Sequence, residues 1–557
     1  MNGLTRKLLV FVLAMGALAA AGWFGRKAYK GASEARLISQ AVQFSRTNDY
    51  RNAELCLRRV LQINPTSVPS IRMVADMLEA AGLPAALNWR IQAAQLQAAN
   101  VTNRLDWAQT ALKFGELKSA EEAMGEIKGK ETGSAAYRKL SGALAWFKHE
   151  PLAAESNYLA ALQLEPSNTL IVLNLDTIRL GSTNQDTAQA ARKSLEHLVD
   201  SSGYRVDALH ILEQDAVARK SWPEALSFSK QLATEHAAGF GDKLGYLQLL
   251  KVCTNAQFAP WCESLKQEAT NSAVQAFAFG RWMAKAKGPS AALVWLHTLP
   301  VELQTNQPVP LIITDCQIAL KDWPGLIALV DKQDWTEAEF YRYALQALAY
   351  RSLGKEFPSQ AAWRDALRHC AHRLDRFSRL AQVTAGWGWN AENTEVLEKI
   401  TSEFPKEKWA ATSLTAQLYS AGNTRELTDF LKKRYATDPT DILVKNNLAN
   451  LYLLRKSDLD KAYRLAREAH TMAPKDPFFT STYAYSLLLQ NKTDEAVQAV
   501  SELKAEYLQI PSVAAYYGVI QAESGHKELA RAALKRADGA KLLPEETELV
   551  RVAQAHL

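Results

Sequence analysis

The stretch from Ala135 to Pro166, AAYRKLSGALAWFKHEPLAAESNYLAALQLEP, decides the fold. Gly142, Ala154, Tyr158, Ala161 and Pro166 follow one another in it at spacings of 12, 4, 3 and 5 residues. Apolar residues recur at helical spacing on both sides of a short polar break, so the stretch reads as two helices joined by a turn. Small residues at 142, 154 and 161 let two antiparallel helices come close, and the larger ones fill the groove to the next pair. Pro166 ends the second helix, because it lacks an N–H and clashes with the preceding turn.

The same spacing recurs along the chain. Near the start it is met by Ala41, Ala53, Leu57, Val60 and Pro65, with Asn48-Asp49-Tyr50 at the turn. Near the end it is met by Ala449, Ala462, Ala466, Ala469 and Pro474, with one extra residue in the turn Lys456-Ser457-Asp458, then by Ala484, Ala496 and Val500, then by Gly518, Ala530, Leu534 and Ala537. Pro405 and Pro439 each close an amphipathic segment. In the middle the pattern loosens: Trp222-Pro223, Ala225 and Leu232 suit one hairpin, Gly280, Ala292, Leu296 and Leu299 another, and Lys321-Asp322-Trp323-Pro324 a further turn. Alternating Val/Ile/Thr runs of the kind that form strands are absent.

These positions resemble the tetratricopeptide repeat. That family pairs a small residue in the first helix with a small, aromatic, small and proline series in the second. The resemblance implies an all-α chain, an α-solenoid of antiparallel helical hairpins in a tetratricopeptide superhelix, with roughly fourteen hairpins on a spacing of about 34 residues. The expected division is an N-terminal array over 34–237, a divergent hairpin segment over 238–373, a C-terminal array over 374–543, and a solvating capping helix over 544–557. The last carries Glu545, Glu546 and Glu548 in its first turn.

Residues 1–30 read as a membrane segment. Leu8 to Phe24, LLVFVLAMGALAAAGWF, is uncharged, with Arg6 and Lys7 before it and Arg26, Lys27 and Lys30 after. At about 1.5 Å per residue it reaches roughly 25 Å, close to the hydrocarbon thickness of a bilayer. One reading is an uncleaved transmembrane helix; the other is a cleaved signal peptide, for which Ala19-Ala20-Ala21 offers small residues. The expectation is a single-pass protein of the inner, cytoplasmic membrane, held through residues 8–24, with an extracytoplasmic body.

The 557 residues are 48% hydrophobic, too apolar for a disordered chain. The formal charge of +6 is spread without any Lys/Arg block, so no nucleic-acid footprint is expected. Five cysteines, Cys56, Cys253, Cys262, Cys316 and Cys370, are no disulfide framework. Cys253 and Cys262 flank an expected turn and could pair in an oxidising compartment, while buried thiols are the ordinary outcome.

No catalytic constellation is visible. Lys128-Gly129-Lys130-Glu131-Thr132-Gly133 has the composition of a phosphate loop but not its spacing. His369, Cys370 and His372 are the one tight metal-capable cluster, short of the four ligands of a structural zinc site. No catalytic residue, metal or cofactor is expected. The 14 tryptophans fit packing between hairpins better than a carbohydrate ladder.

What the resemblance implies for function is binding. In the family the first helix of each hairpin lines the concave face, and its positions 2, 5, 9 and 12 meet the ligand. Carried onto this sequence, they give Trp409, Thr412 and Tyr419, then Asn446 and Asn450, then Phe478, Ser481 and Tyr485. Amides and aromatics in that mixture suit another protein or an extended peptide segment. The basic partners of the family's carboxylate clamp are missing. The implied role is a membrane-anchored, non-enzymatic scaffold for protein–protein interactions in a bacterial envelope, secretion or exopolysaccharide assembly system. The alternative is a glycan-associated protein whose groove holds polysaccharide on aromatic residues. Partner identity and oligomeric state stay open at this level.

Overall fold

Three residues punctuate the array. After the helix Pro151–Leu164, Pro166 blocks continuation, and two residues on the Asn168 side chain accepts the backbone N–H groups of Leu170 and Ile171 to start Thr169–Leu180. Pro439-Thr440-Asp441 does the same between Thr424–Thr437 and Ile442–Leu454, and Pro474-Lys475-Asp476 between Leu459–Met472 and Pro477–Leu488. One helix loses its next donor, and the following helix has its orphan N–H groups satisfied, within a turn too short for anything but an antiparallel neighbour.

The computed structural model describes residues 29–47, 49–200, 203–236, 238–332 and 334–557. Among these residues the regular structure is helical, without a strand. The chain divides into two compact units, one ending at Trp282 and the other beginning at Met283.

In the first unit a helix over 29–46 precedes Tyr50–Ile63, and helical pairs follow. Their first members begin at Val68, Val101, Ala135, Thr169, Arg205 and Phe240, roughly every 34 residues. Each second helix also packs on the first helix of the next pair, as Pro151–Leu164 does on Thr169–Leu180. The small residues sit where the helices touch: Ala41, Ala53, Ala154 and Ala161 are fully buried. Gly142 is required by that approach, since a Cβ there would come within 2.8 Å of the Tyr158 ring.

The second unit opens with shorter pieces, Pro289–Leu296, Val301–Thr305, Val309–Leu320 and Trp323–Val330. Regular pairs then begin at Glu339, Leu374, Lys408, Ile442, Pro477 and Pro511. The border expected at 373 falls in the turn before Leu374–Trp387. Gly518 repeats the role of Gly142, with Leu534 only 2.7 Å from where a Cβ would stand. One apolar core runs from Leu326 to Ala553, so the last helix, Pro544–Ala555, shares it through Val550 and Ala553.

The expected membrane placement is corrected. Among the described residues no helix is long and apolar enough to cross a membrane. Crossing takes about 20 apolar residues, whereas the helix over 29–46 carries Lys30, Glu34, Arg36 and Arg46, and every later helix is shorter than that. A single-pass inner-membrane protein with an extracytoplasmic body is therefore not the reading taken forward. The run Leu8–Phe24 lies outside the described residues.

Candidate binding groove

The first helices of the last four pairs are Lys408–Ser420, Ile442–Leu454, Pro477–Leu488 and Pro511–Glu523; the last three pack in series within the second unit, and Pro544–Ala555 packs on the last of them. They bury several polar side chains, and the groove beside them is partly closed. Asn446, Thr480, Ser481, Thr482, Ser486 and Gln521 are all at most 3% exposed.

The closure is made by the chain itself. Glu546, on the first turn of Pro544–Ala555, is 1% exposed. Its Oε1 accepts the Tyr516 hydroxyl at 2.9 Å and lies 3.5 Å from Asn450 Nδ2. Its Oε2 accepts the Tyr419 hydroxyl and, at 3.0 Å, the backbone N–H of Leu543. The Tyr516 hydroxyl oxygen is also 2.7 Å from Asn450 Oδ1, and its single proton serves one acceptor at a time. Beside this cluster Glu545 accepts the Thr424 hydroxyl at 2.7 Å. Pro544 approaches Gly422, where a Cβ would meet its ring at 3.3 Å. Gly422 also has a φ of +67°, so glycine answers both the turn and the contact.

The electrostatics follow from burial. Burial pushes the Tyr419 phenol up, and the Glu546 carboxylate beside it pushes the same way. Tyr516, wholly buried, is raised for the same two reasons in the same order. Both phenols stay protonated and remain donors. Tyr485, whose ring centroid is 5.2 Å from that of Tyr516, is pushed up to about 12 by burial alone.

Two clefts flank the docked segment. One, of about 1000 Å³, is bounded by Thr412, Tyr419, Phe430, Asn447, Phe479 and Leu543. The other, of about 490 Å³, is bounded by Asn446, Phe478, Ser481, Tyr516, Leu542 and Glu546. Tyr419, Leu443, Asn447, Asn450, Asp476 and Phe479 line both.

The residues singled out from the sequence separate accordingly. Tyr419 and Asn450 meet on Glu546. Thr412 is exposed on the larger cleft, and Phe478, 45% exposed, stands on the smaller one. Asn446, 3% exposed, lines the smaller cleft with its Oδ1 unpartnered. Ser481 and Tyr485 are buried, and the Ser481 hydroxyl donates to Phe478 O of its own helix at 3.0 Å. Trp409, 42% exposed, belongs to a separate cleft with Arg379, Gln382 and Asn393. Tyr516 and Glu546 were not found from the sequence. Tyr516 falls off the 2, 5, 9, 12 positions of Pro511–Glu523, and Glu546 sits among acidic neighbours that look like a solvated first turn.

The metal-capable cluster is dispersed. His369 Nδ1 lies 2.8 Å from Asp365 O of its own helix, His372 Nδ1 lies 2.7 Å from Glu403, and Cys370 is fully buried, its thiol pushed up to about 12 by burial.

No protein-family model matches the chain, and no curated protein matches it. Among solved structures, one described as "Functional Characterization of Pseudomonas Aeruginosa pilF" matches at 14% identity and a TM-score of 0.32, covering 40% of this chain and 98% of its own. The "Crystal structure of APC/C hetero-tetramer Cut9-Hcn1" matches at 14% identity and a TM-score of 0.29, over 93% of this chain and 96% of its own. The "Structure of Naa15/Naa10 bound to HypK-THB" matches at 14% identity and a TM-score of 0.26, over 94% of this chain and 80% of its own. Likenesses this loose bear on neither partner nor pathway, and the hairpin array stands on the chain's own helices and packing.

Proposed function

We propose that this chain is a non-enzymatic scaffold that binds a segment of another protein in the groove of its second unit. The observation that carries this reading is the cleft of about 1000 Å³ across Lys408–Ser420 and Ile442–Leu454. Its walls are apolar, with Phe430, Leu431, Leu451 and Phe479, and its rim holds Lys408, Thr412 and Asn447. Apolar walls supply burial and the rim polar groups fix direction, which is the chemistry of a protein-segment site. Thr412, Phe478, Asn446 and Asn450 are the contacts this reading keeps from the sequence. Ser481 and Tyr485 support the floor, and Trp409 stands outside.

A polysaccharide groove calls for a ladder of exposed aromatic rings. In the second unit Trp335, Trp363 and Trp389 are buried and Trp409 is exposed, which favours the protein segment. A setting in bacterial envelope, secretion or exopolysaccharide assembly rests on the repeat resemblance alone.

The test uses two exposed apolar side chains on the cleft, Leu443 and Met472. Partners captured by crosslinking to the full chain are measured against Leu443→Asp/Met472→Asp. At least a tenfold loss of capture is expected, with Trp146→Ala, in the other unit, unchanged. Equal capture by both variants removes the groove from the function.

A further inference from the structure

The segment that fills the groove is not held as a structural ion pair would be. Glu546 is buried, yet every group that holds it is neutral: two phenols, one amide and one backbone N–H. A buried carboxylate without a cation recovers little more than its desolvation cost from such donors. The chain leading to it, residues 538–543, is outside any helix, and Gly539 there has a φ of +67°. Leu543 is fully buried on the cleft wall, and Pro544 lies on Gly422. Leu542, Leu543 and Glu546 stand at the seam between the two clefts, which share six residues on either side of them. Asn446, which lines the smaller cleft, has a buried amide oxygen without a donor.

We propose that Tyr419, Asn450 and Tyr516 form a receptor for a helix start of the form Leu-Pro-acidic-Glu, and that the chain's own Leu543–Glu546 occupies it until a partner segment of that chemistry displaces it. The features that select such a segment are all in the present occupant. Leucine fills the apolar wall. Proline sets the first helical turn and lies flat on a glycine that tolerates it. The glutamate accepts two hydroxyl protons while also bonding its own helix's N-terminal backbone. This inference rests on the groove reading above and adds to it the partner's chemistry and its competitor.

The probe is a fluorescent peptide of residues 541–557, KLLPEETELVRVAQAHL, added to the full chain. The wild-type chain, whose receptor is filled, is expected to bind it at least tenfold more weakly than the Glu546→Ala chain. A peptide carrying Glu546→Ala should lose at least tenfold on the Glu546→Ala chain, and a Tyr419→Phe/Tyr516→Phe chain should lose a similar factor for the unaltered peptide. Equal binding by the two chains, or binding by neither, overturns the proposal and makes the segment a permanent cap. Glu546→Gln guards against a misfolded alanine variant; it should bind the peptide with intermediate strength, and a value equal to wild type counts against displacement. Partner capture with Leu443→Asp/Met472→Asp is independent of this peptide, so failure of the receptor and failure of the groove are told apart.

Discussion

Two buried polar clusters, one in each unit, solve the same problem in opposite ways. In the first unit Arg90, 7% exposed, donates from Nη2 to Asp76 at 2.7 Å and Glu79 at 2.9 Å, and from Nε to the Thr110 hydroxyl at 3.2 Å. Arg72 meets Asp106 at 3.0 Å beside it, and Lys113 reaches Glu79 at 3.6 Å. Burial pushes the Glu79 carboxyl up, but hydrogen bonds from Arg90 and Thr110 and the Arg90 and Lys113 charges outweigh it, leaving it below its ordinary 4.5. In the second unit Glu546 is at least as buried and is held by neutral donors. The Arg90 cluster joins neighbouring hairpins through charges that cannot part without leaving one uncompensated. The Glu546 cluster joins residues 127 apart in sequence through bonds that any carboxylate of the same shape could accept. The first is a rivet; the second is a socket.

The largest expected effect tests the rivet. Arg90→Met should cost about 3 kcal/mol of unfolding free energy, because it removes the buried cation of the cluster and leaves Glu79 only Lys113 at 3.6 Å and the Thr110 hydroxyl. Urea unfolding measures the loss, and hydrogen exchange should place it in residues 68–125. A loss under about 1 kcal/mol, the level of an exposed pair, would erase the contrast. Next comes the socket. Glu546→Ala leaves the Tyr419 hydroxyl and the Leu543 N–H without their acceptor, while Tyr516 keeps Asn450 Oδ1, and should cost about 1–3 kcal/mol, felt as faster amide exchange across 543–555 while 68–125 is unchanged. Gly422→Ala sharpens the point without touching a polar group. Its positive φ and the 3.3 Å approach of Pro544 should together cost about 1 kcal/mol, with exchange again rising over 543–555.

The smallest effect is read by pH. Asp215 accepts from Arg192 Nε at 2.7 Å and Arg219 Nε at 2.8 Å. Burial pushes its carboxyl up, but hydrogen bonds and charges of those two arginines hold it below the ordinary 3.8. A folded value below the unfolded one means that the unfolded chain binds more protons as acid is added. The stability from this group is therefore complete above about pH 4 and lost as pH falls through the folded value. Asp215→Asn should lower stability at neutral pH and flatten the decline below pH 4 in acid unfolding curves. An unaltered slope would show that the first unit does not draw on paired charge in this way.

The fold was legible because repeats write their contacts locally. Gly142 against Tyr158, and the fully buried Ala53, Ala154, Ala466 and Ala530, are each set by partners within one hairpin or the next. Helix position alone also brought out Tyr419, Asn450 and Phe478, which line the two clefts. What the periodicity could not carry is its own interruption. Nothing in Pro544-Glu545-Glu546 announces that the third residue turns inward, since an acidic first turn is equally suited to water and to a capping box. Trp409 shows the converse error: its helix position is right, but its side chain faces the preceding pair, beside Arg379 and Asn393. The expected membrane placement rested on one apolar run, and no described helix repeats its character.

The sequence distance between Tyr419 and Glu546 also has a meaning in time. Hairpins close on their neighbours as they are made, whereas the carboxylate that fills the groove is translated 127 residues after the phenol that receives it. The last member of the receptor, Tyr516, precedes Glu546 by only 30 residues, so at the usual pace of synthesis the completed receptor is made roughly 3 s before its resident.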